Sequence, residues 1–75
     1  MIKNQETKEE KFKRLATART SDILRKIKTL GNLSNTGSYD YTEAQINKMF
    51  TALERELRLA KEKFKSAKDG GEFKL

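Results

Sequence analysis

The sequence predicts an all-α protein, an antiparallel hairpin of two long helices, and three observations carry that prediction. Ile46, Phe50, Leu53, Leu57, Ala60, Phe64 and Ala67 follow one another at alternating intervals of four and three residues. That spacing lays them all on one narrow stripe of a helix. A second, less regular stripe precedes it: Phe12, Leu15, Ala16, Ile23, Ile27 and Leu30. Between the stripes, residues 32–40 contain Gly37 and several Asn and Ser residues, whose side chains compete for backbone hydrogen bonds and favour turns. Two helices of similar length joined by a short loop pack most simply side by side in opposite directions.

The first helix is expected over about residues 7–30. Thr7 is its N-cap, and Glu9 and Glu10 place negative charge in the first turn, where the helix dipole favours it. Lys26 and Lys28 complement the other end. Arg19 and Thr20 interrupt the apolar stripe between Ala16 and Ile23. Gly31 is expected to close the helix in a left-handed conformation, which glycine adopts without steric cost. A loop then covers residues 31–41.

The second helix is expected over about residues 42–68, with a start that is nearly complete in sequence. Thr42 and Gln45 have the spacing of a capping box, and Tyr41 and Ile46 that of a hydrophobic staple. Asp69, Gly70 and Gly71 end the helix, leaving residues 69–75 as a flexible tail. In that tail Glu72-Phe73-Lys74-Leu75 alternates polar and apolar residues, which suits either a disordered end or a strand added to a partner's sheet.

With 75 residues the chain is at most one small domain, and it has neither Cys nor His. Disulfide staples and thiolate or imidazole metal sites are therefore excluded, so stability has to come from packing or from a partner. One hairpin offers few apolar side chains to offset the ordering of its backbone. Leu15, Leu24, Met49 and Leu59 lie beside or off the main stripes. They are read as the residues through which the hairpin self-associates, as a dimer or higher bundle, or docks on a larger partner.

The net charge is +6. Lys8 to Leu30 carries eight bases against three acids and Glu43 to Lys68 seven against four, so both helices are basic. No apolar run approaches the roughly 20 residues that span a bilayer, and Met1 to Glu10 lacks the apolar core of a signal peptide. The expectation is a cytoplasmic protein with no membrane partner.

Catalysis finds no support. No Ser or Thr has a His to act as base, and Glu54 and Glu56 read as surface charges on a basic helix. Neither Gly31 nor Gly37 leads into a phosphate-binding Lys-Ser or Lys-Thr pair. No cofactor, no metal, no small-molecule substrate and no enzymatic activity are expected.

The candidate determinants are for binding. Arg19 sits where a coiled coil would place an apolar residue; either its stem packs while its head reaches water, or it sets register or meets a partner. Tyr39, beside Asn and Ser residues at the loop end, has the character of an interface anchor. Arg25 and Lys28 on the first helix, with Arg55 and Arg58 on the second, supply charge for an acidic protein face or for phosphates. No zinc-finger, helix-turn-helix or aromatic-platform pattern accompanies them.

Arg19-Thr20, Leu30-Gly31-Asn32-Leu33-Ser34-Asn35, Tyr39-Asp40-Tyr41-Thr42, Met49-Phe50, Ala52-Leu53 and Lys63-Phe64 together resemble a group of small bacterial proteins carried by phages, plasmids and other mobile elements. The resemblance runs from Phe12 to Phe64 and implies a mobile-element context, with no functional residue transferred. A non-enzymatic protein that occupies a protein or nucleoprotein surface is the resulting expectation, in the manner of anti-CRISPR-type inhibitors. The alternative is a small nucleic-acid-binding protein contacting phosphates through its basic helix faces.

Overall fold

The computed structural model describes residues 5–70, and all regular structure among them is helical. Helix α1 spans Lys8–Gly31, a 3₁₀ turn over Asn32–Ser34 continues it, and helix α2 spans Glu43–Gly70. The all-α class and the two-helix organisation expected of a hairpin are what the chain forms. It divides into two units, Met1–Asp40 with α1 and Tyr41–Leu75 with α2. The expectation of a flexible tail lies, for residues 71–75, outside the described residues.

Helix α1 starts where Thr7 leaves the extended conformation. The Thr7 hydroxyl accepts the Glu10 N–H at 3.0 Å, and the Glu10 carboxylate accepts the Thr7 N–H at 3.0 Å. Two amides that the helix itself cannot satisfy are thereby bonded. The cap expected at Thr7 is thus half of a reciprocal box whose other half is Glu10. One residue earlier, Glu6 is bound through both carboxylate oxygens to Arg14.

At the far end Gly31 corrects the expectation. Its φ is −61° and its ψ −24°, still right-handed, and no described residue, glycine included, has positive φ. The reason lies in the next turn. The Asn32 N–H reaches back to the Thr29 carbonyl, and the helix tightens into a 3₁₀ turn. Shorter-range bonds satisfy the last carbonyls without a left-handed residue.

The chain then turns on Asn35. Its carbonyl accepts the N–H groups of Ser38 and Tyr39 at 3.1 and 3.0 Å, and its side-chain oxygen accepts the Gly37 N–H at 3.0 Å. A Cβ on Gly37 would stand 3.2 Å from that oxygen, so the turn favours the residue without one.

Helix α2 opens as the sequence predicts. The Thr42 N–H donates to Gln45 Oε1 at 2.8 Å, the Gln45 N–H donates to Thr42 Oγ1 at 3.1 Å, and the Ile46 N–H reaches the Thr42 carbonyl at 3.1 Å. Ile46, the inner member of the expected staple, is half-buried. The helix runs two residues beyond the expected Lys68, to Gly70.

No described residue of either unit is buried. Leu15, Ala16, Asp22, Leu30, Ile46 and Met49 are half-buried, and the rest, glycines included, are exposed among residues 5–68. On α1 the stripe residues Phe12, Ile23 and Ile27 are exposed, and on α2 the stripe is exposed from Phe50 onward.

Candidate interaction surface

Helix α2 supplies the most regular surface. Its stripe keeps the four-three spacing from Ile46 to Ala67 without one polar interruption. The 28-residue helix carrying it is unbroken. Phe50 and Leu53 are 42% and 43% exposed, and Leu57 and Phe64 are 63% and 65% exposed. A continuous exposed apolar band of this kind exceeds the scattered apolar residues usual on a monomer's surface.

Along one flank of the band, Lys61, Lys65 and Lys68 recur at helical spacing. A shallow groove there is lined by Glu54, Leu57, Arg58, Lys61, Glu62 and Lys65. Arg58 stands 3.9 Å from Glu62, one turn on. Glu54, Glu56, Lys61 and Lys63 make no ion pair or hydrogen bond within the described part of the chain, and all four are exposed. These charges border the stripe on both sides, beyond the expectation of Glu54 and Glu56 as surface charges alone. The signal that finds them is their place in the heptad, immediately beside the seam positions.

Helix α1 offers a broken counterpart. Carrying the same four-three spacing on from Phe12 through Ala16 puts Arg19 and Lys26 at seam positions. Arg19 is exposed and has no ion pair or side-chain hydrogen bond among the described residues. Asp22 holds Arg25 at 2.9 Å and Lys26 at 3.7 Å, so the charge of Arg25 is partly satisfied locally.

The four residues read as self-association contacts are not gathered into one patch. Leu15 and Leu24 are nine residues apart, which at about 100° per residue sets them on opposite sides of α1. Leu15 is half-buried and Leu24 exposed. On α2, Met49 is half-buried beside the stripe, whereas Leu59 is exposed well away from it. The basic candidates form two local pairs, Arg25 with Lys28 and Arg55 with Arg58, each one turn apart. Tyr39 stands in the loop, 49% exposed.

Among the described residues no group of three or more carboxylates gathers as a metal would need, and no helix is long and apolar enough to cross a membrane. Compared with family models, with curated proteins and with solved structures, the chain matches none.

Proposed function

We propose that this chain is a non-enzymatic interaction protein, a basic helical module that self-associates and acts by covering a protein or nucleoprotein surface. One observation carries the reading: an uninterrupted apolar band on α2 stays exposed in a chain whose described residues include none that is buried. Exposed apolar surface of this kind gains free energy only when another surface covers it. The net charge of +6 directs the module toward acidic targets, and steers encounter more than it sets affinity. In the mobile-element setting that the sequence resembles, the target is a host nucleoprotein or defence enzyme, and the module is its inhibitor in the cytoplasm.

Light scattering of the purified protein at low and high salt tests this reading. A mass of two or more chains that survives high salt is expected, because apolar association is not screened. A folded, stable monomer under both conditions would overturn it.

The second reading, binding of nucleic acid, is favoured by Lys61, Lys65 and Lys68, which are exposed along one flank of α2 without a partner in the described chain. Phosphate contacts of this sort weaken steeply with salt. A shift in mass with a short duplex at low salt, absent at high salt, would put this reading first.

A further inference from the structure

We infer that α2 pairs with α2 of a second copy, antiparallel, with Leu57 packed beside the partner's Ala60 at the twofold axis. This rests on the self-association reading above and adds the seam, its direction and its register. The heptad assigns Phe50, Leu57 and Phe64 to one seam position and Ile46, Leu53, Ala60 and Ala67 to the other.

In an antiparallel pair, residues of the first seam position face residues of the second. With Leu57 opposite the partner's Ala60, Phe50 falls opposite the partner's Ala67 and Leu53 opposite the partner's Phe64. Ala60 and Ala67 thus meet Leu57 and Phe50, which fill the space the small residues leave, while the Leu53–Phe64 layer between them pairs two large side chains. A parallel pair sets like against like. Ala60 would then face Ala60, leaving a void between layers crowded by Leu57 and Phe64.

The flanking charges choose the same direction. Glu54 and Lys61 lie on one side of the seam, Glu56 and Lys63 on the other, with both acids toward the N-terminal half and both lysines toward the C-terminal half. Reversing the second helix brings Glu54 to the partner's Lys61 and Glu56 to the partner's Lys63, and symmetry repeats both pairs. In a parallel pair, Glu56 still meets the partner's Lys61, but Lys63 meets the partner's Lys68 with like charge. Among the described residues none of the four antiparallel partners has an ion pair or hydrogen bond within its own chain, which leaves them available across the seam. Helix α1 is the poorer seam, because Arg19 and Lys26 interrupt it.

Two sets of variants test the pairing in the full chain, with helix content read by circular dichroism for each. Glu54→Lys with Glu56→Lys makes all four flanking residues basic, and Lys61→Glu with Lys63→Glu makes all four acidic. Each alone should self-associate at least about tenfold more weakly than the parent, and an equimolar mixture should recover the parent's mass. Charge-reversed proteins that dimerise like the parent overturn the seam.

Direction is read by cysteine, which the parent lacks altogether. Ala67→Cys should not cross-link to itself under oxidation, since the two thiols stand about 25 Å apart along the antiparallel seam. It should cross-link when mixed with Phe50→Cys. Efficient self-linking of Ala67→Cys overturns the antiparallel direction while leaving the dimer in place. A monomeric parent instead overturns the self-association reading itself.

Discussion

Arg14 grips Glu6 with two hydrogen bonds, Nε to Oε2 at 2.7 Å and Nη2 to Oε1 at 2.9 Å, across the start of α1. The paired fork geometry is the strong form of an ion pair, though this one is open to solvent. Its hydrogen bonds, with the Arg14 charge adding to them, hold the Glu6 carboxyl below its ordinary value of 4.5. A carboxylate lowered in the folded state contributes stability above its unfolded pKa, and loses it as pH falls through the folded value. Helix content of the parent should therefore approach that of Glu6→Gln as the solution is acidified below the ordinary carboxylate range. At neutral pH the parent should be the more helical, by a margin that shrinks with added salt. Circular dichroism of the two proteins across acid pH checks this, and parallel curves would contradict it.

Gly31→Ala should stabilise the chain. Because Gly31 is right-handed and a Cβ there meets nothing within 4 Å, alanine brings helix propensity without strain. The gain expected is roughly 0.5 to 1 kcal/mol. A left-handed glycine would give the opposite sign, since alanine is strained at positive φ. Thermal unfolding followed by the helical signal distinguishes the two directly.

That contrast shows where the sequence was legible. Thr42 with Gln45, and Thr7 as a cap, could be read because a capping box is local and its chemistry depends on residues three apart. Gly31 could not, because glycine permits both hands and the choice was made by the Asn32 N–H returning to Thr29. Glu6 with Arg14 was hidden for a different reason. Their eight-residue separation is not the three or four of a helical side-chain pair, and the contact is made across the N-cap, where Thr7 is extended. The seam on α2 was plain from its apolar spacing. Its flanking charges gain meaning only once each is assigned a heptad position and a second helix is placed against them.

Thr42→Ala should cost about 1 kcal/mol of helix stability, the usual loss when a capping hydroxyl is removed. The loss falls on the first turn of α2, where the Gln45 N–H has the Thr42 hydroxyl as its partner at 3.1 Å. Thr42→Ser should retain nearly all of it, because the oxygen stays in place. Amide hydrogen exchange at Gln45 is the direct readout: faster in the alanine variant, near parental in the serine variant. Equal exchange in all three would show that the hydroxyl does not hold this amide.

Arg19→Leu separates the two parts that Arg19 can play on α1. Its position continues the spacing of Phe12, Ala16 and Ile23, and its head finds no partner among the described residues. Leucine there makes the α1 stripe continuous. If that stripe is covered in the assembled protein, full burial of the new side chain stabilises it by up to roughly 1.5 to 3 kcal/mol. The melting temperature should then rise with protein concentration held fixed, and dissociation on dilution should require lower concentrations. An arginine that instead anchors an acidic target predicts a different pair of results, with unchanged self-association and weakened capture of that target. Sedimentation of the variant across a dilution series, beside the parent, decides between them. A variant that melts lower and dissociates more readily than the parent would show that Arg19 is itself a stabilising contact of the assembly.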